Sequence, residues 1–148
     1  MKDIPRIIGE YDSGNSGPLL FVTAGIHGNE PSGIVALNEV FKILNAERPK
    51  INGKIVGVSG NRKALLNGVR YIDEDLNRTW TEENIISEEI DSHEQKEMFE
   101  IIEMLENFPE KDFTKRYFLD CHTTSSTSEP YISVQDKNDN DAWAHKFP

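Results

Sequence analysis

At 148 residues, 36% of them hydrophobic, the chain has enough material for one ordinary domain (1–148) with a real core and too little for two. Twenty-six Asp and Glu against 16 Lys and Arg leave a formal net charge of -10, which argues against nucleic acid as a partner because phosphate binding needs the opposite sign. There is no apolar run long enough for a membrane span, no secretory-type start and a single cysteine, Cys121. A cytoplasmic protein without a disulfide framework is expected, and any zinc would be held mainly by His and carboxylate.

In chain order, Ile4 to Ile8 predicts a short edge strand, and Asp12-Ser13-Gly14-Asn15-Ser16-Gly17-Pro18 has the composition of a hairpin loop. Leu19-Leu20-Phe21-Val22 is a continuous apolar run, the pattern of a strand covered on both faces in an α/β sheet. It runs into the glycine-rich turn Thr23-Ala24-Gly25-Ile26-His27-Gly28-Asn29-Glu30-Pro31. Pro31 suits a first helical turn, and Ile34, Leu37, Phe41 and Leu44 recur at helical spacing, predicting a helix that ends near Asn45. Lys54 to Ser59 predicts the next strand, completing a right-handed βαβ unit with a parallel pair.

From Gly60 to Thr81 no periodicity is sustained, yet the stretch carries Arg62, Arg70, Asp73, Asp75, Asn77 and Arg78. It reads as a long polar loop, and long loops are often functional. Ser92-His93-Glu94-Gln95 matches a capping box, and Met98, Ile101, Ile102, Leu105 and Phe108 share one face. The expectation is a helix from Ser92 to Asn107, with Ser87 as an alternative start, whose acidic residues between Glu82 and Glu106 form its solvated face and approach. Tyr117 to His122 predicts a third strand running into a Thr/Ser-rich loop, with Asp120 and His122 on one face. Pro130 to Val134 predicts one more strand, and Asp139 to Lys146 the beginning of a helix.

His27 and Glu30 are two donors on one turn. If the strands ending at Val22, Ser59 and Leu119 are parallel neighbours, His122 joins them at the carboxyl edge of the sheet, where open α/β folds place their ligands. Three such donors with an open fourth position suit a hydrolytic zinc, one ion per chain, and Asp120 is placed to accept the other N–H of His122. Singly, each has a plainer role: His27 capping the turn, Glu30 favouring the helix N-terminus, His122 as a hydrogen-bonded strand-end histidine. Their joint placement favours the metal. Cys121 faces away from His122 and reads as a buried apolar residue, while His93 and His145 read as structural or solvent-facing. Arg70, Asn77 and Arg78 form a second cluster suited to a carboxylate and a developing oxyanion, with pairing to Asp73 or Asp75 as the alternative. Arg62 and Lys63 read as solvated, carboxylate-paired cations.

Taken together, Gly25-Ile26-His27-Gly28-Asn29-Glu30, Arg70-Tyr71-Ile72-Asp73-Glu74-Asp75-Leu76-Asn77-Arg78 and Asp120-Cys121-His122-Thr123-Thr124 resemble the succinylglutamate desuccinylase/aspartoacylase family. The resemblance implies a zinc carboxypeptidase-like fold: a three-layer α/β arrangement of a mixed, mainly parallel sheet with helices on both faces. It implies Zn2+ on His27, Glu30 and His122, polarisation of the scissile carbonyl by Arg70, and a substrate carboxylate held by Asn77 and Arg78. Asp75 would orient the loop. The implied reaction is hydrolysis of the amide in a small anionic N-acyl amino acid; a zinc carboxypeptidase acting on peptides and a non-catalytic metal or anion-binding module are the alternatives. The family takes its general base from a Glu on a later strand past the third ligand. The chain ends at Pro148, ahead of where that strand is expected, and Glu129 follows His122 too soon. The expectation is therefore a fragment or a truncated member, which in isolation binds zinc and turns over poorly.

Overall fold

The computed structural model describes residues 3–124, 127–135 and 140–147. Its centre is β2 (Leu19–Ala24), the apolar run, which pairs in parallel with β3 (Lys54–Ser59) on one side and β4 (Arg116–Cys121) on the other. The registers are matched: Leu19 lies opposite Lys54 and Arg116, and Ala24 opposite Ser59 and Cys121, so all three strands end on one line. The connections leaving those ends carry the candidate site residues.

β1 (Ile7–Asp12) pairs antiparallel with β3, giving the order β1-β3-β2-β4. The stretch from Asp12 to Pro18 is therefore not a hairpin. The crossover through α1 (Ser32–Glu47) inserts β3 between β1 and β2. The connection instead leans on the residues leading into β3, with Ser13 Oγ donating to the Ile51 carbonyl at 2.6 Å and Gly53 N–H to the Asn15 carbonyl at 2.9 Å. The edge strand also begins at Ile7 rather than Ile4.

Side-chain alternation along β2 explains why its apolar run is unbroken. Leu19 and Phe21 point into a layer with Val56, Val58, Leu76, Met98, Ile101 and Phe108, under α5 (His93–Glu106). Val22 and Ala24 point the other way, into a layer with Tyr11, Leu37 and Phe41 under α1. Each fully buried Leu or Phe contributes about 2–3 kcal/mol of transfer free energy, so both layers are needed. This is a mixed, mainly parallel open sheet with helices on both faces.

The Gly60–Thr81 connection contains α2 (Arg62–Asn67) and α3 (Leu76–Thr79), each too short to show a helical period in the sequence. Asn61 caps α2 by accepting from Ala64 N–H, and Asp75 caps α3 by accepting from Asn77 N–H. A further helix, α4 (Glu82–Ser87), stands apart from α5 and ends at Glu88, whose φ of 54 stops it; α5 therefore starts after its Ser92 cap and not at Ser87.

Two acidic residues of α5 are not solvated as expected. Glu94 is 0% exposed and Glu97 2%, each held by donors distant in sequence. Arg62 does pair with carboxylates, Glu97 and Glu100. Pro130–Val134 forms no strand; it runs exposed, with Tyr131 69% accessible, and no ladder partner among the described residues. The final helix, α6, covers Asn140–Ala144; Asp139, the expected start, lies outside the described residues.

Candidate metal centre

The turn after β2 is shaped by two glycines. Gly25 has φ +71, a conformation that strains any side chain, and a Cβ on Gly28 would lie 2.0 Å from the Ala64 carbonyl carbon. Between them Ile26, 3% exposed, anchors the turn in the core, so His27 is fixed on a short tether. Gly28 N–H donates to the Arg70 carbonyl at 3.1 Å, tying the turn to the loop after α2.

Three donors converge here. His27 Nδ1 lies 2.9 Å from Glu30 Oε1, and His122 Nδ1, just past β4, lies 3.2 Å from Glu30 Oε2. One donor atom from each residue falls within 4.8 Å of the others, and the two imidazole centroids are 5.0 Å apart. His27 and Glu30 are buried, whereas His122 is about one-third exposed, leaving the group open on one side. The far nitrogen of each ring also faces a carboxylate: His27 Nε2 is 3.0 Å from Asp75 Oδ1, and His122 Nε2 is 2.5 Å from Asp120 Oδ2. Asp120 is itself fixed by Thr23 Oγ1, which donates to Oδ1 at 2.7 Å.

A neutral imidazole has one N–H, so a ring with a carboxylate at each nitrogen needs a second proton or a cation at one of them. A cation held by His27, Glu30 and His122 would satisfy both rings at once and leave each Nε2–H to donate to its aspartate, the arrangement that orients metal-ligating histidines. The donor set of two imidazoles and one carboxylate suits zinc. The residues present fit the metal.

The electrostatics follow the same contacts. The hydrogen bond to Asp120, partly opposed by burial and helped by the charges of Asp120 and Glu30, raises the His122 pKa to about 8. Burial pushes the Glu30 carboxyl up, but bonds from Thr123 N–H, His27 and His122 outweigh it and leave the pKa below the usual value. Asp75 is likewise lowered: burial raises it, while His27, Asn77 N–H and Arg70 together lower it further. The Cys121 thiol is pushed up by burial and then by the Asp120 charge; its side chain packs against the α1 layer, away from the three donors.

Arg70 Nη2 donates to Asp75 Oδ2 at 3.0 Å, and Nη1 is 3.7 Å from Glu30 Oε1. Asn77 Nδ2 is 3.4 Å from His122 Nε2. Arg78, one residue on, is exposed, and among the described residues no ion pair reaches it. His93 starts α5 with its Nε2 3.1 Å from Glu97, and His145 is solvent-facing. Two surface cavities, of about 350 and 420 Å³, lie at the opposite end of the strands, beside Lys54 and Phe108 and beside Tyr11 and Arg48, and touch none of the site residues. Sequence reasoning missed the backbone N–H of Thr123, which donates to Glu30 Oε2 at 2.8 Å, because a backbone donor leaves no mark on residue identity. It also missed the direct bond between Asp75 and His27 and the burial of Glu94.

The sheet order, the crossover through α1 and the helices on both faces define a zinc carboxypeptidase-like α/β fold. The fold is shared with crystal structures of succinylglutamate desuccinylase from Chromobacterium violaceum (TM-score 0.63, 22% identity, 77% of this chain and 37% of that one) and from Vibrio cholerae (0.63, 20%, 79% and 34%). The profile of the succinylglutamate desuccinylase/aspartoacylase catalytic domain matches residues 16–147, and the chain belongs to that family. Among curated relatives, the succinylglutamate desuccinylase of Shewanella woodyi is 28% identical over 106 residues, covering 70% of this chain and 31% of that protein. That of Serratia proteamaculans is 43% identical over 58 residues, 38% and 17% respectively. The chain thus spans about a third or less of the length of these relatives. No helix among the described residues is long and apolar enough to cross a membrane.

Proposed function

We propose that this chain carries the metal site of a zinc-dependent amidohydrolase that cleaves the amide of a small N-acyl amino acid. The observation that carries the reading is the convergence of His27 Nδ1, Glu30 and His122 Nδ1, with the remaining nitrogen of each ring held by an aspartate. A zinc ion held by these three residues supplies Lewis acidity towards a carbonyl oxygen and lowers the pKa of water to about 7.

The protein's own groups do the rest. Asp75 and Asp120 fix the imidazole orientations, so the donors need no rearrangement when charge develops. Arg70, half exposed and bonded to Asp75 on one edge, has guanidinium N–H groups left to face an oxyanion. Exposed Arg78 and neighbouring Asn77, both on α3, are assigned the substrate carboxylate, Arg78 with its two-pronged fork. The general base is assigned to a Glu outside this set, as in the family. Glu129, exposed and in no regular element, is given no part. The reading places the protein in the cytoplasm, where a lone thiol stays reduced.

The test pairs zinc titration with hydrolysis assays on N-succinyl and N-acetyl amino acids and on short peptides, using the chain and the longest product of its gene. Stoichiometric zinc binding, abolished by His122→Ala, together with hydrolysis of the N-acyl amino acids, is the expected result. Turnover of peptides alone would make it a carboxypeptidase. Zinc binding without turnover by the gene product would make it a binding module.

A further inference from the structure

The buried acid Glu94 has no part in the reading above. Its side chain is sealed from solvent at the first turn of α5, and no cation pairs with it among the described residues. Oε1 accepts from Asn61 Nδ2 and from Ile72 N–H, both at 2.7 Å; Oε2 accepts from Asp73 N–H at 3.0 Å and Glu74 N–H at 3.2 Å. Burial pushes its pKa up, and these four bonds more than offset that.

The two segments gripped by this carboxylate are one that braces the His27 turn and one that leads into its partner Asp75. Ile72 to Glu74 lead directly into Asp75, which holds His27 Nε2 and Arg70. Asn61 ends the loop after β3, and its own backbone N–H donates to the Gly25 carbonyl at 2.9 Å, at the root of the His27 turn. The clamp is reinforced from the other side, where Asp73 accepts from His93 N–H at 2.8 Å and Ser92 Oγ donates to Glu74 Oε1 at 2.5 Å. A carboxylate is suited to this work because it offers lone pairs and no donor, so four N–H groups, one from Asn61 and three from the loop before α3, can share one side chain.

We propose that Glu94 is the positioning residue of this site: it holds the His27 turn and the Asp75 loop in register, so that His27 Nε2–H meets Asp75 and His27 Nδ1 is turned towards Glu30. The functional consequence rests on the metal reading above; the clamp itself does not. Glu97 supplies the control. It is equally buried one turn along α5 but pairs with Arg6, Arg62 and His93, and makes no hydrogen bond to Asn61 or to the backbone of Ile72, Asp73 and Glu74 among the described residues.

The experiment is 15N NMR of the imidazole groups in metal-free parent, Glu94→Gln and Glu97→Gln proteins, with zinc titrations of each. The Glu94→Gln change turns an NH2 onto N–H donors. The expected result is loss of the His27 Nε2–H signal, or exchange of that proton at least about tenfold faster, the scale of one lost charge-assisted bond. Zinc affinity should fall by about tenfold, while the His122 signal, set by Asp120, stays in place. Glu97→Gln should leave both imidazole signals unchanged. Retention of the His27 signal in Glu94→Gln, or its equal loss in Glu97→Gln, overturns the proposal. If Glu94→Gln does not fold, amide exchange in the parent decides: protection of Ile72, Asp73 and Glu74, opening together with His27 Nε2–H, supports the clamp. Unprotected amides there overturn it. A parent protein that binds no zinc defeats the metal reading alone, since the imidazole signals still report on the clamp.

Discussion

Replacing Asp120 by asparagine tests the electrostatics of the site without requiring a metal. In the metal-free protein His122 lies between Asp120 and Glu30, and its pKa of about 8 compares with 6.5 for an ordinary histidine. Because the folded value is the higher one, the imidazolium stabilises the fold fully below about pH 6.5, and that contribution disappears as the pH rises through 8. The difference corresponds to about 2 kcal/mol, and with a third of the side chain exposed to solvent about 1 kcal/mol is expected. The Asp120→Asn change keeps the shape and the bond from Thr23 but removes the charge and the largest cause of the raised pKa. Chelator-treated parent and variant would be unfolded in urea at pH 6 and pH 8.5. The parent should lose about 1 kcal/mol more than the variant between those values, the subtraction removing every group the two share. Identical pH dependence would refute the coupling between Asp120 and His122.

Zinc must displace the His122 proton, so its affinity should rise about tenfold per pH unit up to about 8 and then level off, read by calorimetry in buffers of different ionisation enthalpy. Gly28→Ala places a methyl 2.0 Å from the Ala64 carbonyl carbon and 2.3 Å from Leu65 N, both backbone atoms that cannot swing aside. A loss of about 3 kcal/mol in denaturant unfolding is expected, with zinc affinity falling as the turn moves. Arg6→Met removes a donor to the Ser59 and Gly60 carbonyls and leaves Arg62 as the remaining arginine on Glu97 among the described residues. Unfolding free energy should drop by about 3 kcal/mol with little change in zinc affinity.

What the sequence revealed and what it hid divide along physical lines. β2 was legible because a strand covered on both faces needs an unbroken apolar run, β3 and β4 because β-branched and aromatic residues cluster between turn signals, and α1 and α5 because one buried face imposes a period of 3.6 residues. His27, Glu30 and His122 stood out because each lies in the turn or loop that leaves such a strand. Strand order was hidden: local composition at Asp12 to Pro18 looks like a hairpin whether or not β3 later enters beside β1. The helices α2 and α3, of six and four residues, are shorter than any pattern that could announce them. Glu94 and Glu97 looked like surface acids because their partners are remote, Asn61 33 positions away and Arg6 91.

Residues distant in sequence also meet at the site, where they concentrate charge. Glu30, Asp75 and Asp120 bring three carboxylates around two imidazoles, and Arg70 is the one arginine among the described residues in contact with them. Carboxylates this close raise one another's energy unless positive charge stands between them, and with partial burial water screens them weakly. Below pH 8 the proton on His122 adds to the charge of Arg70; above it, a cation among the same atoms would take that proton's place. Proton and metal therefore compete for one position, which is why the same aspartate that stabilises the metal-free fold in acid also prepares His122 to bind a cation in its place.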